Sequence, residues 1–365
     1  MQDNTRLFAN SEAFMEQSII TKVNRYLRSK RPLIPSNTIC EVYQNNAFME
    51  IAFISKCCRN DAKGSCIMCD YGAGSGTRAK EVYLAEMDKI LNKYMNIKFL
   101  LLCANGSIMD DSQLSEEIFK AILEKAGQTS IPHIIIETHY LDITAEKLRY
   151  IKEYLSGKSI TMEIGLETSN QYFQDQIIKK DIILTDVRDK IQLIQSYGVK
   201  VDINIMLGLP FLTPGQQLED TYQTIMWGIS QNCRVIVFPI NIKPYTTVMH
   251  MYKSGFYRPV SHWLILLLLE RLNAPLLEKV TIAYYGNRSD EYRCAEEATI
   301  YPVACPACMK ILMKFYEDFS MSQDWKIRKD LLTHALNWDK CNCLQQQRNA
   351  LNETMNFGNE LNNYL

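Results

Sequence analysis

The order of apolar and amphipathic segments between residues 49 and 240 constrains the fold more than any other feature of the chain. Six apolar runs of strand length are "MEIAFI" (49–54), "IKFLLLC" (97–103), "HIIIE" (133–137), "ITMEIGL" (160–166), "VDINIML" (201–207) and "RVIVFPI" (234–240). Helix-length segments separate them near 79–95, 113–126, 143–156, 184–197 and 214–230. This alternation predicts a parallel sheet covered by helices, either an open or partial β/α barrel or a doubly wound sheet. In both folds the functional residues lie at the carboxyl ends of the strands.

The composition excludes some classes of protein. Forty basic and 41 acidic residues among 365 give a net charge of -1, so no global attraction to nucleic acid is expected. A basic run, "RYLRSKRP" at 25–32, leaves a local basic face open, although such runs are usually solvated helix ends. The longest apolar run, 263–269, is shorter than the roughly 20 residues of a membrane span and predicts a buried helix. The first residues lack a signal-peptide pattern, so we expect a cytoplasmic protein without a membrane partner.

Twelve cysteines in a reducing compartment favour metal sites over disulfides. A first group, in "CCRNDAKGSCIMCDYG" just after the first strand, contains Cys57, Cys58, Cys66 and Cys69. A second group contains Cys294, Cys305, Cys308, Cys341 and Cys343. Cys40, Cys103 and Cys233 are isolated, and we interpret them as ordinary buried residues.

The spacing of the first group is C-x7-C-x2-C over Cys58, Cys66 and Cys69. A structural zinc site normally recruits four ligands, often as two CxxC pairs. Three thiolates on one loop instead favour an iron–sulfur cluster that leaves one iron open to a small molecule. Cys57 is an alternative to Cys58, because only one of two adjacent residues can point at the cluster.

The second group combines a CxxC pair, Cys305 and Cys308, with a CxC pair, Cys341 and Cys343. Two close pairs brought together from distant sequence predict a closed four-thiolate site, the usual pattern of structural zinc. An auxiliary iron–sulfur cluster is the alternative, since thiolates serve either metal. Cys294 is interpreted as a spare thiol that could replace one of the four.

Several stretches between residues 45 and 275 resemble the radical S-adenosylmethionine (radical SAM) enzymes. The resemblance is to the branch with the elongator catalytic subunit, and within it to the radical SAM subunit family of archaeosine synthase. The loop that contains Cys58, Cys66 and Cys69 is longer than the C-x3-C-x2-C loop of most of the superfamily. The stretches that carry the resemblance are "CCRNDAKGSCIMCDYG" (57–72), "CANGSIMDD" (103–111), "IIIETHYLDIT" (134–144), "MEIGLETSNQYFQDQIIKKDI" (162–182) and "FPINIKPYTTV" (238–248).

The resemblance implies an α/β fold, a partial (β/α)6 TIM-type barrel, over 45–275. A helix and linker at 1–44 precede it, and a small α-rich extension at 276–365, with a predicted metal site, follows. It also implies a 4Fe-4S cluster on Cys58, Cys66 and Cys69 and S-adenosyl-L-methionine (SAM) as cofactor. A flavodoxin- or ferredoxin-type donor would supply the electron that cleaves SAM, and the resulting 5′-deoxyadenosyl radical would abstract a hydrogen from the substrate.

The expected SAM contacts follow the strands. Asn105, Gly106 and Ser107 would lie beside the SAM amino group. Glu167 and Ser169 would lie beside the ribose, Lys180 beside the carboxylate and Gly208 beside the adenine. Structural roles are the alternatives: Gly106 closes a βα turn, Glu167 caps a helix, and Lys179 and Lys180 lie on the surface.

Glu137 and Glu163 end or line strands and are the candidate catalytic residues on the substrate side, unless they merely pair with Arg or Lys. The substrate stays open among a small molecule, a peptide and a modified nucleoside, with a lyase or transferase reaction. The resemblance implies a 7-deazaguanine in tRNA and C–N bond cleavage, with nucleic acid only as substrate. A non-catalytic, zinc-stabilised binding protein is the alternative from another class.

Overall fold

The computed structural model describes residues 11–56, 58–70, 74–283, 298–338 and 340–353. Cys57 and Cys294, the two alternative ligands, lie outside the described residues. The side chains of residues 11–19 are also outside this description.

The architecture is an eight-stranded sheet whose strands follow one another in chain order. The strands are β1 Cys40–Asn45, β2 Phe48–Phe53, β3 Phe99–Ala104, β4 His133–Thr138, β5 Ser159–Glu167, β6 Lys200–Leu207, β7 Arg234–Pro239 and β8 Val280–Ile282. β1 is antiparallel to β2, and every later neighbour pair is parallel. The order never reverses within the sheet, as it would in a doubly wound fold. The partial β/α barrel is therefore the correct alternative.

The six predicted strands are confirmed as β2 to β7, with bounds within two residues of the prediction. The sequence did not reveal β1 and β8. β8 has only three residues, and β1, "CEVYQN", has no fully buried position. Asn46, with φ of 50°, closes the β1–β2 hairpin, and a left-handed Asn at this point is the one turn signal that could have revealed it.

The helices of the described residues include those that connect the parallel strands and cover the outer face of the sheet. The helices are α1 Ser11–Ser29, α2 Arg59–Lys63, α3 Lys80–Lys93, α4 Glu116–Gln128, α5 Ala145–Tyr154, α6 Gln171–Phe173, α7 Leu184–Ser196, α8 Pro214–Ser230, α9 Thr247–Lys253, α10 His262–Arg271, α11 Pro306–Met321, α12 Trp325–Leu336 and α13 Cys343–Ala350. The described residues also contain two 3₁₀ turns, Tyr140–Asp142 and Ala274–Lys279, and a π-helical turn, Gln174–Ile178. The five predicted barrel helices are confirmed as α3, α4, α5, α7 and α8.

Local sequence explains where these helices begin. Ser115, Thr144 and Thr213 cap α4, α5 and α8 by accepting a backbone N–H with the side-chain oxygen. In α10 the residues from His262 to Leu269 are all buried, which confirms the buried helix expected at 263–269. None of the helices in the described ranges is long and apolar enough to cross a membrane.

The two faces of the sheet differ in polarity. Ile51, Leu102, Ile136 and Met162 lie in register on adjacent strands and are fully buried beneath the helices. The neighbouring positions on each strand point to the other face, because side chains alternate along a strand. Those inner positions carry acids, amides and a thiol among apolar residues such as Leu101 and Phe238, so the barrel interior offers both polar and apolar contacts to a ligand.

The C-terminal helices pack on the barrel. Arg328 of α12 is fully buried and donates to the carbonyl oxygen of Val280 at 2.7 Å. His262 of α10 and Tyr316 of α11 are hydrogen-bonded at 3.1 Å. This segment therefore shares its packing with the barrel, and the domain boundaries predicted at 44/45 and 275/276 remain predictions.

Candidate active site and metal centres

A cavity of about 280 Å³ lies inside the barrel at the carboxyl ends of the strands. Most of the residues predicted for the site line this one cavity. They are Cys58, Cys66, Cys69, Asn105, Gly106, Ser107, Glu137, Glu163, Glu167 and Lys180. These residues come from segments that are up to 122 positions apart, from 58 to 180, and only the sheet topology brings them together.

The cysteine loop follows β2 and is fixed by backbone hydrogen bonds. Cys58 is the residue before α2, and Cys66 has a left-handed φ of 53°. The amide of Cys66 donates to the carbonyl of Ile178 at 2.8 Å, and the amide of Cys69 donates to the carbonyl of Cys66 at 2.8 Å. The loop is thus tied to the segment after β5, on the opposite side of the cavity entrance.

Two arginines of the basic run hold this loop, so the expectation of a solvated helix end is wrong there. Arg28 is only 7% exposed and donates to the carbonyl oxygens of Cys66 at 2.7 Å and Cys69 at 3.0 Å. Arg31 donates to both carboxylate oxygens of Asp61, at 3.1 and 2.9 Å, and to the carbonyl of Asp70 at 3.1 Å. These contacts join residues that are 30 or more positions apart in the chain, so no local pattern could have revealed them.

Two further polar residues that the sequence did not single out fix the loop. Asn24 donates to the carbonyl of Gly64 at 3.0 Å and accepts from the Thr247 hydroxyl at 2.9 Å. Arg59, next to Cys58, lines the cavity and forms ion pairs with Asp110, at 2.7 Å, and with Asp142. The loop is therefore braced from α1, from α9 and from the segments after β3 and β4.

The turn 105–107 is held in place by its own side chains. The Asn105 side-chain oxygen accepts from the amide and the hydroxyl of Ser55, both at 2.9 Å. The Ser107 hydroxyl is 2.7 Å from that of Thr138. A Cβ on Gly106 would lie 2.0 Å from the Gln113 side-chain oxygen, so any larger residue would displace the Gln113 side chain. The turn is positioned rigidly at the cavity wall, and its contact with SAM remains a prediction.

Glu167 and Lys180 form a half-buried ion pair at the cavity wall. The Lys180 ammonium is 2.6 Å from Glu167 Oε1. Glu167 has a φ of 68° at a register shift between β5 and β6, and this bulge allows its side chain to face the cavity. Burial lowers the pKa of Lys180, but the charges of Glu167 and Cys66 outweigh it and raise the pKa overall. The lysine is therefore a fixed cation beside the cysteine loop.

Three of the residues considered for SAM binding lie elsewhere. The Ser169 amide and hydroxyl contact the Thr224 hydroxyl at 2.9 and 3.2 Å. Gly208 has φ of 106°, and a Cβ there would lie 2.3 Å from Val260 Cγ2. Lys179, the alternative to Lys180, is half buried, and burial lowers its pKa to about 8. None of the three is among the described residues that line the cavity, and their contacts with SAM remain predictions.

The floor of the cavity is acidic. Glu137 and Glu163 lie opposite each other in the β4–β5 register, and Asn204 of β6 donates to Glu137 Oε1 at 3.4 Å. Burial, and next the charge of Glu137, raise the pKa of Glu163 well above its usual value. Cys103, expected to be an ordinary buried residue, is buried but faces this floor, with its sulfur 3.7 Å from Glu50 Oε1.

The three loop thiols fit a cluster better than a single ion. Among the described residues, the one set of three or more metal-binding side chains with ligand atoms all within 4.8 Å of one another is the C-terminal cysteine group. The sulfurs of Cys58, Cys66 and Cys69 are thus spread more widely around the cavity. Four thiolates on one zinc lie about 3.8 Å apart, whereas a 4Fe-4S cluster binds each thiolate on a different iron.

The C-terminal cysteine group (Cys305, Cys308, Cys341 and Cys343) fits a single ion. The sulfur of Cys341 is 3.8 Å from that of Cys305 and 2.9 Å from that of Cys308. None of the four cysteines forms a disulfide. Hydrogen bonds, first from the Cys308 backbone, lower the pKa of the Cys305 thiol to about 7. The sequence prediction that the CxxC and CxC pairs converge agrees with this geometry, and the identity of the metal remains a prediction.

Comparison with known proteins identifies the class of enzyme. Residues 53–225 match the radical SAM superfamily. Residues 53–225 therefore carry a radical SAM domain and the protein is an enzyme, and this match supports SAM cleavage by radical chemistry. The resemblance expected from the sequence, to the archaeosine-synthase-related branch, is confirmed.

Two relatives bear the name archaeosine synthase subunit beta. The protein from Methanosarcina acetivorans is 26% identical over 231 residues, which cover 62% of this chain and 67% of the relative. The protein from Thermococcus kodakarensis is 23% identical over 213 residues, which cover 57% and 66%. The chain thus spans about two thirds of the length of each relative. A structure of Elp3 from Methanocaldococcus infernus is similar with a TM-score of 0.47 and 13% identity, over 65% of this chain and 58% of that one.

Proposed function

We propose that this enzyme holds a 4Fe-4S cluster on Cys58, Cys66 and Cys69, binds SAM beside it, and abstracts a hydrogen atom from a substrate in the barrel interior. A single observation carries the proposal. The three thiols, the Glu167–Lys180 ion pair and the acidic floor with Glu137 and Glu163 line one continuous cavity. When bound, the reduced cluster supplies the electron that cleaves SAM to methionine and a 5′-deoxyadenosyl radical.

The residues around the loop bind and orient SAM. Lys180 offers a fixed positive charge beside Cys66 and is suited to the SAM carboxylate. Glu167, 2.6 Å from Lys180, offers a carboxylate for a ribose hydroxyl. The ion pair between them keeps both side chains directed at the cavity, so little reorganisation is needed on binding. The turn with Asn105 and Ser107 supplies short polar groups for the SAM amino group.

The floor residues bind the substrate. Glu137 and Glu163 lie below the predicted SAM site on adjacent strands, where the reacting atom of a substrate would face the ribose. The buried walls exclude water, which protects a reactive radical from side reactions. A flavodoxin- or ferredoxin-type protein would deliver the electron from outside the barrel.

The favoured substrate type is a compact group. The cavity of about 280 Å³ lies just below the usual range for small-molecule pockets, and the cluster and SAM must share it with the substrate. A modified 7-deazaguanine in tRNA is one candidate, supported by the two relatives named archaeosine synthase subunit beta, and would enter as a base flipped out of the RNA. The reaction would then be a lyase-type C–N cleavage. A small molecule or a peptide side chain is the other candidate, because the net charge of -1 gives no general attraction to RNA.

Anaerobic purification and reconstitution test the proposal. Dithionite-reduced enzyme should bind about four irons on the loop thiols and release 5′-deoxyadenosine from SAM slowly without substrate. Faster release with a tRNA carrying the modified base would select the tRNA candidate, and faster release with peptide or metabolite pools would select the other. A colourless protein that holds only zinc and leaves SAM intact would instead favour a zinc-stabilised binding protein.

A further inference from the structure

The floor of the cavity is built from hydrogen-bond acceptors on three adjacent strands. Glu137 of β4, Glu163 of β5 and Asn204 of β6 all line the cavity. Glu137 and Glu163 are register partners, and Asn204 pairs with Gly165, two positions along β5. Their side chains therefore form one patch on the inner face of the sheet, which we call the acceptor floor.

The side-chain oxygen of Asn204 lacks a hydrogen-bond donor among the described residues. The Asn204 side-chain nitrogen donates to Glu137 Oε1 at 3.4 Å, and a side-chain hydrogen bond also joins it to Glu163. The amide is thereby oriented with its oxygen away from both carboxylates. Asn204 is only 6% exposed, and this oxygen is buried without a hydrogen-bond partner among the described residues. A buried amide oxygen without a donor is unfavourable, so this atom points to a ligand that donates.

The charges around Glu163 have the same sign. The groups with the largest effect on it are Glu137, Asn204, Asp202 and Glu50. Of these, Asp202 forms an ion pair with Arg234 at the start of β7. Lys180, which lines the cavity together with the cysteine loop, is paired with Glu167. The cavity thus has a cationic group at its SAM end and an acceptor patch at its floor.

We propose that Glu137, Glu163 and Asn204 form a subsite for a cationic nitrogen group of the substrate, an ammonium or guanidinium. Such a group supplies the N–H donors that the Asn204 oxygen lacks, and its positive charge opposes the raised pKa of Glu163 and so favours the ionised form of both carboxyl groups around it. Anionic groups such as phosphate or carboxylate are excluded from the floor by the same carboxylates. This subsite rests on the proposed function, because it uses the same cavity, and it specifies which substrates that function accepts.

Protein stability without SAM or substrate separates a ligand subsite from a structural polar network. A subsite of like-charged acceptors destabilises the free protein, so Glu163→Gln should raise the melting temperature of the cluster-loaded chain. Asp202→Asn is the matched control. The same change from carboxylate to amide, on the neighbouring strand, breaks the ion pair with Arg234 and should lower the melting temperature. The pKa of Glu163 is higher in the folded protein than in the unfolded protein. The folded state is therefore destabilised increasingly as the pH rises above the unfolded-state pKa. The gain from Glu163→Gln should therefore be larger at pH 8 than at pH 6.

Calorimetry with small probes tests the charge preference. Methylguanidinium and methylammonium should bind the cluster-loaded enzyme, while neutral N-methylurea should not. Glu163→Gln should weaken methylguanidinium binding by at least about tenfold. A melting temperature that falls in Glu163→Gln as it does in Asp202→Asn, equal binding of N-methylurea, or no binding of either cation would overturn the subsite.

Neither measurement depends on SAM cleavage, so the two proposals fail separately. Release of 5′-deoxyadenosine together with a destabilised Glu163→Gln variant would keep the radical SAM function and remove the cationic subsite. The reverse pattern would keep the subsite and remove the radical reaction.

Discussion

The cysteine loop of Cys58, Cys66 and Cys69 and the C-terminal cysteine group differ in how their thiols are arranged. The loop directs three thiols from one segment at a cavity, and they are spread more widely than ligands of a single ion. The C-terminal group collects four thiols from the start of α11 and the region before α13 within 4.8 Å of one another. One arrangement leaves room for a second molecule and the other closes around its metal.

The two sites also differ in what holds them. The cysteine loop contains one short helix, α2, and is braced by Arg28, Asn24 and the carbonyl of Ile178 from outside. In the C-terminal group the thiols contact one another. An open site must expose one side of its metal, so the rest of the fold has to supply the rigidity. A closed site gains rigidity from the metal itself.

The largest expected effect comes from removing the loop thiols. Replacing Cys58, Cys66 and Cys69 together with Ala should abolish iron binding and SAM cleavage while the barrel still folds, because these side chains line a cavity rather than the apolar core. Metal analysis and 5′-deoxyadenosine release measure both. Cys233→Ala, at a buried thiol outside both sites, is the control.

The triple variant also identifies the second metal. About one zinc and no iron per chain would support a structural zinc at the C-terminal group. About four irons would mean an auxiliary cluster, and no metal would leave the four thiols without a role. Because only one of two adjacent cysteines can point at the cluster, Cys57→Ala should be tolerated. If Cys57→Ala loses the cluster and Cys58→Ala keeps it, Cys57 is the ligand in place of Cys58.

The next effect is on stability. Cys308→Ala should remove the C-terminal metal and destabilise the chain by several kcal/mol, since Cys308 is fully buried beside its partners and metal binding contributes directly to folding. Calorimetric unfolding and zinc content measure this. SAM cleavage per folded, cluster-loaded molecule should persist, and its loss would show that the second site takes part in the reaction.

A smaller effect is expected from the brace on the cysteine loop. Arg28→Met removes a buried guanidinium from the carbonyls of Cys66 and Cys69 and should destabilise the chain by roughly 3 kcal/mol. It should also lower the reduction potential of the cluster, because a nearby positive charge is lost. Redox titration followed by electron paramagnetic resonance measures the potential.

Two variants on the same helix check the brace. Arg28→Lys should restore part of the potential, because it keeps the charge. Arg25→Met is the matched control, since Arg25 contacts the Lys63 carbonyl at 3.1 Å at an exposed position. An unchanged potential in Arg28→Met would limit Arg28 to a purely structural role.

The contrast between the two sites also marks what the sequence could predict. The six parallel strands were predictable because their apolar runs are continuous, whereas β1 and β8 are short or only half buried. The two thiol groups were predictable because cysteines are distinctive. Arg28, Asn24 and Asn204 were not, because their roles arise from contacts between segments far apart in the chain. Ser169 and Gly208 were expected at the SAM site because each follows a strand, but position alone does not fix where a residue faces.

The smallest effect separates two neighbours after β5. Glu167→Ala should weaken SAM binding to the cluster-loaded enzyme by roughly 1–3 kcal/mol, as for the loss of a hydrogen bond to a charged group. Ser169→Ala should change the affinity by less than about twofold, because Ser169 contacts Thr224 instead of the cavity. Equilibrium titration with SAM, without reductant, measures both. Glu167→Ala also leaves Lys180 without its 2.6 Å partner, so Glu167→Gln is needed to separate the ribose contact from the placement of the lysine. If SAM binds Glu167→Ala as well as wild type, Glu167 only positions Lys180.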